Sequence, residues 1–412
     1  MNSFDFFDTL VARRHIFPFT DESDPQLGHE EQELIPIMAN VQLVRPEDII
    51  VSDFYAPQEW MQAQLRRVTG LDNEVIVSRD GKQTGRVWEQ LRHQGRLPYR
   101  HMGDHQLLDV DGPMHHGIMT ELTSISRPSD AERHYIDQGL PSLAYLIREA
   151  RLTCNDPKYP EVRYSQTQAN FPMLLLASVL LSRWVDDNRL TRVLISGRDG
   201  YLWYLLLSEV LNVDVRYFMT SRVCRVNPSE DYLEYAMSQV NELTGIVDLC
   251  GTGYSLRRLM EIEPRLRRPV FLLAWYGDGQ NSEYEALKDT ENWAPDYILN
   301  TSLSELEIAN YANQNMVIDV VSGLPTVLRT DFDWVGCRQI DTARNAFETA
   351  IRALSNYPNL IDQLTLLSDD FLTFEVGNAC QRLGTYWQYL DFARDAHRAE
   401  ELTIRKMLGF KE

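Results

Sequence analysis

Short apolar runs alternate with helical periodicity through the first third of the chain. The runs Ser3–Leu10, Asp48–Val51, Glu74–Val77 and Tyr99–Met102 have strand length, while Pro57–Val68 and Thr84–His93 carry helix-like patterns. Strands alternating with helices predict an α/β domain on a mostly parallel sheet. Thr20–Leu34, with six acids and no Lys or Arg, reads as a solvated loop in a small insertion. A single helical stretch is expected over Pro128–Ala150, then a turn-rich segment, Cys154–Gln168, that marks a domain boundary. The second block reads helix (Phe171–Asp187), strand (Arg192–Ser196), helix (Tyr201–Leu211) and strand (Val213–Met219). After a further helix come strand Gly245–Asp248, helix Tyr254–Glu261 and strands Val270–Trp275 and Asp296–Leu299. From about Thr342 to Leu408 the pattern is helical, with Trp387, Tyr389 and Leu390 expected in the core. The fold class is α/β: two α/β domains plus C-terminal helices, divided at 1–133, a helical linker 134–164, 165–338 and 339–412.

Composition narrows the setting. A length of 412 residues suggests two or three domains. Forty Lys and Arg against 60 Asp and Glu give a net charge of −20, which disfavours nucleic acid and anionic membrane as partners. No signal-peptide pattern or long apolar span is evident, and the five cysteines are scattered, so a cytoplasmic protein with reduced thiols is expected.

Four spaced motifs in the first block carry chemistry. Asp5 lies in Phe4-Asp5-Phe6-Phe7-Asp8-Thr9, at the end of a strand-like run, where open α/β sheets present side chains to ligands. Ser52 ends a second run, Lys82 precedes a helix in Lys82-Gln83-Thr84-Gly85, and Gly103-Asp104-His105-Gln106-Leu107-Leu108-Asp109 follows a fourth run. A carboxylate nucleophile, a second carboxylate for Mg²⁺, and a Lys and Ser for phosphoryl oxygens together suit phosphoryl transfer. Over roughly residues 1–130 the chain resembles the haloacid-dehalogenase superfamily. The resemblance implies a Rossmann-like domain with a small cap and Asp5 as nucleophile. It also implies Ser52 and Lys82 as phosphate ligands, Asp104 and the Phe7 carbonyl as Mg²⁺ ligands beside Asp5, and Asp109 in support. Phosphatases of that superfamily usually carry a second Asp two residues after the nucleophile. Phe7 stands there instead, so either Asp8 takes over proton transfer or the block is slow or inactive.

The second block holds three strand-end loops: Ser196-Gly197-Arg198-Asp199-Gly200, Thr220-Ser221-Arg222, and Asp248-Leu249-Cys250-Gly251-Thr252-Gly253-Tyr254-Ser255. The last is a Gly- and hydroxyl-rich turn into a helix, whose backbone N–H groups can cradle phosphate. Over roughly residues 165–330 these loops resemble type I phosphoribosyltransferases. The resemblance assigns the pyrophosphate of phosphoribosyl pyrophosphate (PRPP), with Mg²⁺ at Asp199, to Arg198, Asp199, Gly200, Ser221 and Arg222. It assigns the ribose to Asp248 and the 5-phosphate to Gly251, Thr252, Gly253, Tyr254 and Ser255. That family's motif usually has two adjacent acids before the loop, whereas here Val247 precedes Asp248.

His101 and His105 stand four apart, yet Gly103 between them breaks a helix, so a zinc pair is set aside. Arg257, Arg258, Arg265, Arg267 and Arg268 read as a solvated face, and Cys250 as a small turn residue. Taken together the two blocks resemble bacterial bifunctional proteins that add ribofuranose to surface polysaccharides. The implied partners are PRPP and a glycan or lipid-linked oligosaccharide, with Trp203, Tyr254 and Trp275 as candidate acceptor platforms. Localisation is then cytoplasmic, extending to the inner membrane face. A nucleobase or small-metabolite acceptor and a ligand sensor without catalysis are the competing readings.

Overall fold

The computed structural model describes residues 1–15, 31, 33–156, 158–275, 295–301, 304–311, 315–328, 334–389, 399 and 402–409. The chain divides into two compact units, Met1–Lys158 with Arg352–Leu354, and Tyr159–Ile351 with Ser355–Glu412. Most of the acidic Thr20–Leu34 segment, and Leu390, lie outside the described residues. Among the described residues no helix is long and apolar enough to cross a membrane.

Unit 1 contains β1 (Ser3–Phe4), β2 (Val11–Arg13), β3 (Leu34–Pro36), β4 (Ile49–Ser52), β5 (Val75–Val77), β6 (Arg100–Gly103) and β7 (Met119–Leu122). Five of these form a wholly parallel sheet in the order β5-β4-β1-β6-β7. Ile49 through Ser52 are all buried because helices cover both faces, as parallel sheets require. Ile50 packs with Phe4, Val75 and Met102 on one side, while Ile49 and Val51 meet Val87, Trp88 and Leu91 on the other. The antiparallel pair β2–β3 is a separate ribbon, and Ala12, Ile35 and Ile37 pack there against Leu152.

Unit 2 contains β8 (Arg192–Ser196), β9 (Asp214–Phe218), β10 (Thr244–Gly251), β11 (Val270–Trp275) and β12 (Asp296–Asn300), plus the hairpin β13 (Met316–Val321) and β14 (Leu324–Leu328). The five-stranded sheet, again parallel, has the order β12-β11-β10-β8-β9. Ser322 and Gly323, both at positive φ, make the tight turn of the hairpin. The apolar helix Phe171–Asp187 is buried nearly throughout, with Phe171 edge-on to Phe347 at 5.4 Å.

The α/β class and the two parallel sheets agree with the sequence pattern, and several details differ. The run Ser3–Leu10 pairs in the sheet only at Ser3–Phe4, after which Leu10 and Val11 both donate to the Phe6 carbonyl in a turn. The expected helix over Pro128–Ala150 is two helices, Asp130–Asp137 and Pro141–Thr153. Gly139 at φ 75° ends the first, and Pro141 starts the second. Residues 134–158 pack with unit 1 and most of 339–412 with unit 2. The segment Cys154–Gln168 is not mostly turn: helix Pro160–Ser165 runs through a wider-wound turn, Gln166–Asn170, into the helix Phe171–Asp187. Polar side chains from Ser165 to Asn170 are buried, Gln166 bonding to the Ala309 carbonyl and to Asn170, and Asn170 exchanging hydrogen bonds with Asn310 at 3.0 Å, which hides the helical period. Tyr389 is exposed at 40 % rather than buried. Strands β7 and β14, whose residues are largely exposed, leave no apolar pattern, whereas β13 buries Met316, Val317 and Val320 and is an apolar run that the sequence reading passed over.

Candidate functional sites

In unit 1 the chain leaves β1 at Asp5, which is 8 % exposed and whose N–H donates to the Met102 carbonyl of β6 at 2.8 Å. Ser52 closes β4, and its carbonyl accepts from Ser78 N–H at 2.9 Å. The next residue, Asp53, accepts from the backbone N–H of Lys82 at 3.0 Å and of Gln83 at 3.4 Å. That cap fixes the short helix Gly81–Thr84, so Lys82 lies within a helix rather than before one; its side chain is 2 % exposed and reaches Asp5 Oδ1 at 2.6 Å and Asp109 Oδ1 as well. Asp5 Oδ2 has no partner among the described residues. Gly103 is required where Asp109 folds back: a Cβ there would lie 2.2 Å from the Asp109 Cγ.

Asp109 is fully engaged. Its Oδ1 also meets His101 Nε2 at 3.1 Å, and its Oδ2 accepts from His105 N–H at 2.9 Å. His101 Nδ1 in turn meets Ser3 Oγ at 2.8 Å, across the β1–β6 register. A carboxylate can only accept, so His101 donates from Nε2 and Ser3 donates to Nδ1. His101, set aside as a zinc ligand, is a buried strand residue that braces Asp109. Ser3 and Asp53, and the bracing role of His101, were missed because their partners lie up to 98 residues away in sequence.

Charge at this site is unusual. Burial pushes the Asp5 carboxyl up to about 7; Lys82 pulls against that, and the charges of Asp109 and Asp104 add to it. Burial and the charge of Asp8 raise Asp104 to about 6. Despite its own burial, Asp109 is held far below the ordinary carboxylate range by the His101 hydrogen bond and Lys82. Burial opposes the Lys82 charge, but Asp5 and Asp109 outweigh it and raise the ammonium above its ordinary value. Burial keeps His101 neutral by lowering its value.

Asp5, Asp104 and Asp109 bring carboxylate oxygens within 4.8 Å of one another. An all-oxygen donor set suits a hard cation such as Mg²⁺. Because Asp109 is committed to Lys82 and His101, Asp5 and Asp104 are the side chains that fit the ion. The Phe7 carbonyl accepts no hydrogen bond among the described residues and can join them. The Phe7 ring turns to Phe54 at 4.4 Å and lies under Arg13 at 4.8 Å, so this position contributes packing and no acid. Asp8 adopts φ 55° and stands 4.0 Å from Arg148 Nη2, and Asp104 feels its charge.

No protein-family model matches the chain, and no curated protein does.

In unit 2 the ends of β8 and β10 and the loop after β9 converge on one cleft of about 250 Å³. Arg198, Asp199, Ser221, Arg222, Asp248, Gly251, Thr252, Gly253, Tyr254 and Ser255 all line it. Gly200 does not: it is buried, and a Cβ there would come within 2.8 Å of the Ile195 methyl, so its role is packing. Gly251 and Gly253, at φ 142° and 76°, turn the chain from β10 into the helix Tyr254–Ile262. Asp199 belongs to no group of three metal-ligating side chains among the described residues. Asp248, read as a ribose acceptor, already pairs with Arg225 at 2.9 Å, and its Oδ1 accepts from Leu249 N–H at 3.0 Å. Arg225, Glu307, Tyr311 and Arg405 also line the cleft and carried no sequence signal. Arg198 lies over the Tyr311 ring at 3.8 Å, and the Cys250 thiol donates to Glu307 at 3.3 Å.

Of the candidate acceptor platforms, Trp203 is fully buried and donates to Ser178 Oγ at 3.0 Å, so it is core. Tyr254 lines the cleft, and Trp275 donates to the Thr252 carbonyl at 3.3 Å, behind the loop. Arg257, Arg258 and Arg265 pair with Glu261 and Glu263 on the surface.

Proposed function

We propose that this chain transfers a 5-phosphoribosyl group from PRPP to a glycan acceptor, then removes the 5-phosphate. The observation that carries the reading is the convergence of three separated loops on a single cleft that combines a glycine turn with Arg198 and Arg222. Guanidinium groups suit a pyrophosphate, and backbone donors at the start of a helix suit a terminal phosphate. In the first step an acceptor hydroxyl attacks the anomeric carbon, the bond to pyrophosphate breaks, and the hydroxyl proton leaves to solvent.

The second step belongs to the Asp5 site. Asp5 attacks phosphorus, the sugar 5-oxygen leaves with a proton from Asp8, and water then hydrolyses the aspartyl-phosphate to inorganic phosphate. Lys82 neutralises the nucleophile's neighbourhood and orients a phosphoryl oxygen, while Ser52 offers a hydroxyl at the adjacent strand end. Mg²⁺ held by Asp5, Asp104 and the Phe7 carbonyl would offset repulsion between two anions. Mass spectrometry of candidate acceptors incubated with PRPP, Mg²⁺ and protein tests the reading. Wild type should add ribose and Asp5→Asn phosphoribose; an acceptor panel left unmodified, with no PRPP consumed, would refute it.

A further inference from the structure

Arg225 is the buried centre of the unit 2 cleft, 5 % exposed. Its Nε donates to Thr220 Oγ1 at 3.2 Å, and Thr220 is fixed by the Tyr232 hydroxyl at 2.5 Å. Its Nη1 spans two parts of the cleft, donating to Asp248 Oδ2 at 2.9 Å and to Ser255 Oγ at 3.2 Å. Its Nη2 has no partner among the described residues. That nitrogen faces Gly197, where a Cβ would lie 4.0 Å away, so the missing side chain leaves room beside it. A buried guanidinium with an uncommitted donor at a cavity wall calls for an anion.

We propose that Arg225 joins the cleft into one site for a sugar phosphate, a reading that rests on the donor cleft described above. Nη2 takes a phosphate oxygen on the Gly197 side of the cleft, and Nη1 holds Asp248 where it accepts a sugar hydroxyl. The two halves are coupled because they share one charge. Inorganic phosphate at Nη2 draws on the same charge that Asp248 neutralises from Nη1. A phosphomonoester with a sugar hydroxyl gives Asp248 a replacement partner as it draws on Arg225.

Calorimetric titration of the full chain with ribose 5-phosphate, inorganic phosphate and PRPP tests this. Ribose 5-phosphate should bind wild type about tenfold more tightly than inorganic phosphate, the worth of one charge-assisted hydrogen bond. Asp248→Asn frees Arg225, so it should tighten inorganic phosphate by a few fold (~1 kcal/mol or less) while cutting the ribose 5-phosphate advantage to about threefold or less. Arg225→Lys keeps the charge but loses the fork, and should weaken both phosphates about tenfold. A purely structural Asp248–Arg225 pair would move both ligands by one factor in Asp248→Asn; that result, with PRPP still bound by wild type, overturns the Arg225 assignment alone. Unchanged affinities in a folded Arg225→Lys do the same. If wild type binds neither PRPP nor ribose 5-phosphate, the donor-cleft reading falls and takes this proposal with it. Should Arg225→Lys not fold, the unequal shifts expected of Asp248→Asn still decide.

Discussion

Asp5→Asn should make the Mg²⁺-free protein more stable as well as ending dephosphorylation. In the fold the Asp5 carboxyl releases its proton at about 7, against 3.8 ordinarily, because burial outweighs the help of Lys82. Ionisation therefore works against folding, by an amount that grows as pH rises from 4 to 7 and levels off above. Each tenfold change in proton affinity is worth roughly 1 kcal/mol, so the cost is small at pH 4 and grows to roughly 4 kcal/mol by pH 8. An amide has no such charge and retains the side-chain shape, and Lys82 still has Asp109 as its partner. A gain of about 4 kcal/mol corresponds to a rise in melting temperature of roughly 8–16 °C for a unit of this size. Scanning calorimetry in EDTA at pH 5 and pH 8 measures the gap between variant and wild type. The gap must widen with pH. A variant no more stable than wild type at pH 8, or a gain independent of pH, would show that Asp5 is not a desolvated carboxylate.

Other expectations follow from the same geometry. Asp8→Asn should slow dephosphorylation by about 10²–10⁴ if Asp8 supplies the proton, read as release of inorganic phosphate; an unchanged rate assigns the proton elsewhere. Mg²⁺ should bind about tenfold more weakly at pH 6 than at pH 8, because Asp5 must first lose its proton, with Asp104 at about 6 adding roughly a further twofold. Calorimetry with Mg²⁺ in two buffers checks this, and a pH-independent affinity argues against Asp5 as a ligand. Gly200→Ala should cost about 1–3 kcal/mol in unit 2 through the clash with Ile195, while affinity for PRPP in the folded fraction is retained.

Much of this protein was determined locally. Ile49-Ile50-Val51 and Val193-Leu194-Ile195 are continuous apolar runs that only a doubly covered parallel strand buries well, so both sheets are legible in the sequence. The polar residue ending such a run is then expected at a strand end, which holds for Asp5 after β1 and Ser52 in β4, whereas Asp248 lies within β10, which runs on to Gly251. What tertiary structure alone decided is which charges meet. Asp109 is divided among Lys82, His101 and the backbone of His105, and Asp248 is held by Arg225, through contacts that no spacing rule encodes. Trp203 shows the same limit: its helix is legible, but only the packed neighbour Ser178 reveals that the ring is core. Periodicity reports how one segment meets water, whereas ion pairing and burial depend on residues brought together from distant parts of the chain. Hence the sequence located the two candidate sites, and the fold decided which side chains remain available in them.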